Sequence, residues 1–378
     1  MIKKAMYFRK IIFCLVILAI ISIATIYSAT LYLPGYLNNI YLKQIIFYIL
    51  SIGLIFIIMK IGNKTIFRYV YYLYGLGNVL LLLLLFFGEE INNSKCWFTI
   101  PYLGSFQPSE FMKIILIFTL AVFVSSFYKK HKNPSVKQEL YLIVMSGILT
   151  LIPTVLTFLE PDTGVVIIYL LIFVTVLFTC GLRKRWFVLG FSLLAVIIGG
   201  VFYLYFYQEE LFIKIFSSSI YYRIERLISW QSGSGLQLEN SISAIGSSGF
   251  FGFGYRNTPI YFPESSTDFI FAVFASNFGF LGTILLLGLF AFLDITLLQI
   301  AKTRKNFNEK LILLGTVSIL LFQQMQNIGM TFGLVPITGI TLPFISYGGS
   351  SLFSYMILIG IILNIVKEKD YEGSLSLA

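Results

Sequence analysis

The sequence predicts an all-α polytopic membrane protein of about ten transmembrane helices, with one large outer loop between the seventh and the eighth. Three observations carry that reading. Of 378 residues, 58% are hydrophobic and only 12% charged, with a mean hydropathy of +0.88, where soluble domains carry about 25% charged residues. Apolar runs repeatedly reach the ~20 residues that a helix needs to cross a hydrocarbon core of about 30 Å. Lysines and arginines gather in every second connection between those runs.

The first run, 11–31, follows the basic opening MIKKAMYFRK. That start has the charged and apolar regions of a signal peptide. The run is longer than the usual h-region and further spans follow, so it reads as a retained first helix. The next spans are 42–60, 69–88, 111–128, 139–158, 163–181 and 186–207. After one polar interruption at 208–267 come 268–298, 311–332 and 347–366, all judged from hydropathy and period. The chain, 1–378, is thus a single transmembrane domain.

Basic clusters at 3–10, 60–68, 129–137, 183–185, 302–310 and 367–369 fall on one side of this arrangement. The positive-inside rule then places both termini in the cytoplasm and requires an even number of spans. The net charge of +10 is mostly this signal and calls for no nucleic-acid partner. Most acidic residues fall on the opposite, outer side. Carboxylates contribute little to topology, so their grouping points to chemistry there. Cys14, Cys96 and Cys180 are scattered without metal spacing, and the one histidine, His131, lies among lysines; histidine-based metal or triad chemistry is therefore not expected.

Four outer segments combine polar residues with Gly and Pro beside apolar spans: CWFTIPYLGSFQPSEFMK (96–113), LEPDTG (159–164), the loop ending in YFPESSTDFIFA, and PITGITLPFISYGGSS (336–351). Broken backbone at membrane depth is tolerated where it is buried or lines a wet cavity, so these four suggest one outward-opening cavity. Glu110 fits the first turn of a helix capped by Ser109, or a site role beside Lys113, a costly charge entering an apolar run. Glu160 and Asp162 are either solvated turn residues or site carboxylates. Thr267 or Asp268 can cap the next helix, and Asp268 can equally be a functional carboxylate. Ser346 and Tyr347 in the last segment join the contact candidates.

The glycine-rich QSGSGLQLENSISAIGSSGFFGFGYR lacks the ending of a P-loop and the setting of a dinucleotide fold. Its glycines instead let a segment bend closely against the bundle. Arg223 and Arg226 share a helical face at i, i+3, suited to phosphate or to a solvated surface. Gln323 and Asn327, at i, i+4 in an apolar span, should face the bundle interior, with helix-to-helix hydrogen bonding as the default.

The segments W-x-x-x-P-x-x-G-x-x-Q-P-S-E-x-x-K, E-P-D-x-G, Y-R-x-x-R-L, A-I-G-S-x-G-x-x-G-x-G, F-P-E-x-x-T-D-F-I-F-A and P-x-T-G-I-x-L-P-F-I-S-Y-G-G-S-S run in order from Trp97 to Ser351. In this combination the chain resembles the shape, elongation, division and sporulation (SEDS) family, whose members include RodA, FtsW and SpoVE. The resemblance implies a ten-helix peptidoglycan glycosyltransferase in the bacterial cytoplasmic membrane. Such an enzyme polymerises lipid II at the outer face, with undecaprenyl pyrophosphate leaving, usually beside a class B penicillin-binding protein that crosslinks the product.

The family's essential aspartate falls on Asp268, with Phe262, Pro263 and Glu264 as its motif neighbours. The Q-P-S-E-x-x-K motif falls on Gln107, Pro108, Ser109, Glu110 and Lys113. A departing pyrophosphate needs no protonation, so one base to accept the acceptor hydroxyl's proton suffices. Asp268 is the expected base. Substrate contacts are expected from Glu110, Lys113, Glu160, Asp162, Arg223, Arg226, Glu264, Ser346 and Tyr347. Positive charge for the pyrophosphate comes from Lys113, Arg223 and Arg226, or from a divalent cation, Mg or Mn.

Two positions depart from the family pattern. Cys96 stands where an Arg usually precedes the Trp, and Ser276 and Asn277 stand where an acidic pair usually follows D-F-I-F-A. A flippase of lipid-linked precursors and a non-catalytic scaffold for a crosslinking enzyme are the competing functions. Transporters often show charges near the bilayer midplane, whereas the suggestive residues here lie at one face.

Overall fold

The computed structural model describes residues 2–32, 39–91, 94–100, 104–228, 235–261 and 263–368. Ten long helices form the bundle: α1 (Ile2–Ala29), α2 (Ile40–Ile61), α4 (Val70–Phe87), α5 (Pro108–Lys130), α6 (Val136–Leu159), α7 (Thr163–Thr179), α8 (Lys184–Tyr207), α12 (Ile270–Thr303), α13 (Phe307–Thr331) and α14 (Gly349–Lys367). Nine of them are long and apolar enough to cross a membrane, and α7, at 17 residues, is just shorter. At 1.5 Å per residue α7 still covers about 26 Å. These match the ten expected spans, with ends displaced by several residues.

A short α3 (Asn63–Arg68) joins α2 to α4. The long polar interruption folds into α9 (Glu209–Phe216), α10 (Ser218–Ile228) and α11 (Leu236–Ser247). Between α4 and α5 lies a small antiparallel sheet that hydropathy does not announce: β1 (Glu89–Ile91), β2 (Ser94–Ile100) and β3 (Gly104–Phe106), in that order.

Helices α5, α13 and α14 form the centre, with most of their side chains buried. Small residues permit the close contacts: a Cβ at Gly315 would lie 3.1 Å from Ile117, and one at Gly360 3.1 Å from Ile58. Such packing holds helices together where lipid is as apolar as leucine. At the other extreme, α8 buries none of its side chains and packs against α9.

Helix α12 is broken at Gly279, whose φ of 62° and ψ of −161° are not helical. The glycine-rich loop after α11 folds back on this break. Phe253 and Gly254 N–H donate to the carbonyls of Ser276 and Asn277 at 2.9 and 3.1 Å, while Phe280 and Leu281 N–H donate to Gly249 and Phe250, both at 3.1 Å. The break's orphaned backbone groups are thereby paired, as non-helical backbone in a membrane requires. A Cβ at Gly252 would stand 2.3 Å from Asn277 O, so the approach depends on glycine.

Candidate active site

The four polar segments meet at one end of the bundle, around Asp268. Asp268 sits in the turn just before α12 and is half-buried. It is not a cap: the N-cap position of α12 is Phe269, with no side-chain hydrogen bond, and the Thr267 hydroxyl donates instead to Glu264 Oε2 at 2.6 Å. Glu264 is exposed and adopts a left-handed φ of 55°. Its carbonyl accepts from both Thr267 and Phe269 N–H, at 3.2 and 3.0 Å, which closes the turn. Burial first, then the charges of Glu264 and Asp162, push the Asp268 carboxyl up to about 7.

Asp162 caps α7, accepting from Val165 N–H at 3.2 Å. Its other oxygen accepts from Gln107 Nε2 at 3.0 Å and from the Ser109 hydroxyl at 3.2 Å. Ser109 therefore serves Asp162 rather than capping α5, whose N-cap is Gln107. Burial raises the Asp162 pKa, the Glu110 charge adds to that, and the three donors oppose it. Glu160 is not a solvated turn residue. It is 0% exposed, and among the described residues neither carboxylate oxygen has a hydrogen-bond partner. Burial, with Asp162 adding, pushes it up to about 9, so Glu160 carries its proton at neutral pH.

Gly164 brings these acids to the 336–351 segment: a Cβ there would lie 2.9 Å from Thr338 O and from Ile340. That segment is pinned from three helices. Ser22 donates to Ile345 O at 2.8 Å, Gln44 to Ser346 O at 3.3 Å, Tyr48 to Phe344 O, and Gln326 to Pro336 O at 2.8 Å and Thr338 Oγ1 at 3.1 Å. Ser346 is buried. Its hydroxyl donates to Thr267 O at 2.7 Å and accepts from Leu342 N–H at 2.8 Å. Tyr347 is half-buried, its ring tilted against that of Phe47 with centroids 6.3 Å apart.

Lys113 is 0% exposed and forms an ion pair with Glu110 at 2.6 Å. Its ammonium also lies 3.4 Å from Tyr355 Oη, which donates to Gln323 Oε1 at 3.0 Å. In this state the pair is sealed in a polar seam between α5, α13 and α14. Arg223 and Arg226 lie on α10, their side chains outside the described residues, and α10 packs on α9. Phe262 also lies outside the described residues.

Neutral contacts occupy the departing positions. Cys96 is buried in β2, its thiol donating to Glu160 O at 3.0 Å and pushed up by burial. Asn277 donates to Ser28 Oγ at 2.6 Å and accepts from Thr258 Oγ1 at 3.0 Å. Ser276 is buried beside it, its hydroxyl without a partner among the described residues.

The residues underrated in the sequence are the neutral donors: Gln107, Ser109 and Asn327. Gln107 and Ser109 carried a signal in their motif, and Asn327 in its cost within an apolar span. Among the described residues no three His, Cys, Asp or Glu side chains converge on a common metal position.

The model of the cell cycle protein family FtsW/RodA/SpoVE matches residues 5–371. A probable peptidoglycan glycosyltransferase FtsW of Coxiella burnetii is 33% identical over 353 residues, 89% of this chain and 88% of the relative. Stage V sporulation protein E of Bacillus subtilis is 33% identical, with 87% of each chain covered. Among solved structures, a chain of a peptidoglycan synthase complex superimposes with a TM-score of 0.80 at 26% identity, covering 96% of this chain and 98% of the other. The rod shape determining protein RodA of Thermus thermophilus gives 0.69 at 26% identity, covering 96% and 97%. Matched along nearly its whole length in sequence and fold, the chain belongs to the FtsW/RodA/SpoVE family, the SEDS proteins.

Proposed function

We propose that this chain, a peptidoglycan glycosyltransferase of the SEDS family, polymerises lipid II with Asp268 as the general base. The observation that carries the reading is the state of that carboxyl. It is half-buried, bound to no cap, and raised to about 7 by burial and two neighbouring acids. A base is most effective when its pKa lies near the working pH. Asp268 removes the proton of the acceptor sugar hydroxyl as that oxygen attacks the anomeric carbon, whose bond to pyrophosphate breaks. The single displacement inverts the anomeric centre, and the proton ends on Asp268.

The remaining assignments follow from charge and topology. The basic clusters support a reading with both termini in the cytoplasm and Asp268 at the outer face of the membrane. There a substrate that is half lipid and half sugar meets the base at headgroup depth. Asp162, held by Gln107, Ser109 and Val165, and exposed Glu264 are the nearest carboxyl groups for sugar hydroxyls. A Mg or Mn ion arriving with the pyrophosphate would take most of its ligands from phosphate oxygens and water. The likeness to a chain of a peptidoglycan synthase complex supports a class B penicillin-binding protein as partner. Incubating purified protein, alone and with that partner, with fluorescent lipid II tests the reading. Wild type should give glycan ladders and Asp268→Asn none; absence of ladders from wild type under every partner and cation condition sinks it.

A further inference from the structure

The turn that carries Asp268 ends in three consecutive carbonyls, Ser266, Thr267 and Asp268, and each accepts a hydrogen bond from the chain that follows α12. Tyr347 N–H donates to Ser266 O at 2.9 Å, the Ser346 hydroxyl to Thr267 O at 2.7 Å, and Asn327 Nδ2 to Asp268 O at 2.8 Å. The second hydrogen of the same Asn327 amide reaches Ile340 O, also at 2.8 Å. Both neighbours of that nitrogen are carbonyl oxygens, which only accept, so the amide has one possible orientation. Its own oxygen is buried with no partner among the described residues, so the acceptor is left unpaired so that both donors can be placed.

We infer that Asn327 is a positioning residue for the base: its amide bridges the Asp268 carbonyl to the broken segment between α13 and α14 and so fixes the depth and aim of the Asp268 carboxyl. The inference rests on the reading of Asp268 as base. Asn327 is wholly buried and touches no substrate; it acts through the backbone of another residue. One amide joins the turn before α12 to the segment after α13. A shift of either therefore moves the carboxyl relative to Asp162, whose own place is set by α7 and the start of α5. Ser346 belongs to the same staple, which accounts for its burial.

The test compares Asn327→Leu, of similar size without donors, and Asn327→Gln, which keeps an amide on a longer stem, in polymerisation assays across pH. Displacing a reacting group by about 1 Å can cost on the order of 100-fold. Asn327→Leu is therefore expected to lower kcat roughly 10- to 100-fold with KM for lipid II within about twofold. Its acid limb should move to lower pH as the loosened carboxyl, still facing Glu264 and Asp162, gains water. Asn327→Gln should fall between the two. A folded Asn327→Leu with wild-type kcat and acid limb overturns the inference, as does a loss carried by KM with the limb unmoved. If Asn327→Leu does not fold, Asn327→Gln decides by the same split against wild type. Asp268→Asn run in parallel separates the two claims. Full activity there removes the base assignment itself, while an inactive Asp268→Asn beside a wild-type-like Asn327→Leu removes only the positioning role.

Discussion

Replacing Glu160 by Gln should flatten the pH dependence of stability while leaving polymerisation at neutral pH intact. Glu160 is 0% exposed, its carboxylate oxygens have no hydrogen-bond partner among the described residues, and its pKa rises from an ordinary 4.5 to about 9. The folded protein therefore holds a proton that the unfolded chain releases above 4.5. Stability is fully present below 4.5 and falls as pH rises towards 9. Each unit of pH in that window costs about 1.4 kcal/mol, so moving from pH 6 to pH 8 removes about 3 kcal/mol through this group. A chain of this size shifts its melting midpoint by roughly 1–2 °C per kcal/mol. Wild type should thus lose roughly 3–6 °C more than Glu160→Gln between those two pH values, read by thermal unfolding in detergent. Because the carboxyl is neutral near pH 7, the amide should support wild-type glycan synthesis there. Parallel melting curves in the two proteins would show that Glu160 ionises freely, and the burial argument would fail.

The Asp268 carboxyl at about 7 predicts that kcat/KM rises roughly tenfold from pH 6 to pH 8, and Glu264→Gln should move that limb to lower pH by removing the neighbouring charge with the larger effect on Asp268; an acid limb near 4 would contradict the assignment. Glu110→Gln leaves the fully buried Lys113 ammonium without its counter-charge and should cost about 3–5 kcal/mol, whereas Glu110→Gln with Lys113→Met should restore most of the melting midpoint. Gly252→Ala places a Cβ 2.3 Å from Asn277 O at a φ of 78°, so the protein should fail to elute as a monodisperse peak in size-exclusion chromatography.

Hydropathy made the spans legible because each apolar run must satisfy its backbone as a helix in lipid. It could not show which spans are central. Helices α8 and α14 are similarly apolar, yet α8 buries no side chain and α14 most of its own; against hydrocarbon, a lipid-facing and a helix-facing leucine are alike. The polar exceptions carried the information instead. The cost of an amide in a membrane pointed Asn327 inward, and the glycines of 235–254 announced a close approach, which the break at Gly279 explains. Lys113 and Ser346 read as substrate contacts, and the structure gives both intramolecular partners. Motif spacing records that residues work together without distinguishing those that touch substrate from those that hold them. The sheet at 89–106 escaped because its strands are short and follow no clear alternation.

Charge at the site follows from burial more than from residue count. Four acids lead up to Asp268: Glu264 and Asp162 act on its carboxyl directly, while Glu110 and Glu160 interact with Asp162. If all were ionised, with Asp268 as a fifth, the approaching pyrophosphate would meet a repelling field. The structure lowers that charge in two ways. Lys113 neutralises Glu110 within the sealed seam. Burial keeps Glu160 protonated and raises Asp162 and Asp268, so that Asp268 is about half ionised near neutrality. The same protonation equilibrium that admits an anionic substrate limits the fraction of base ready to act. A dianionic pyrophosphate bound beside Asp268 would raise its pKa further, and a divalent cation bound with that pyrophosphate would reverse the shift. For a substrate that arrives with a divalent cation, the expected outcome is a metal-dependent rise in rate, greatest below pH 7, read in polymerisation assays across pH with and without Mg.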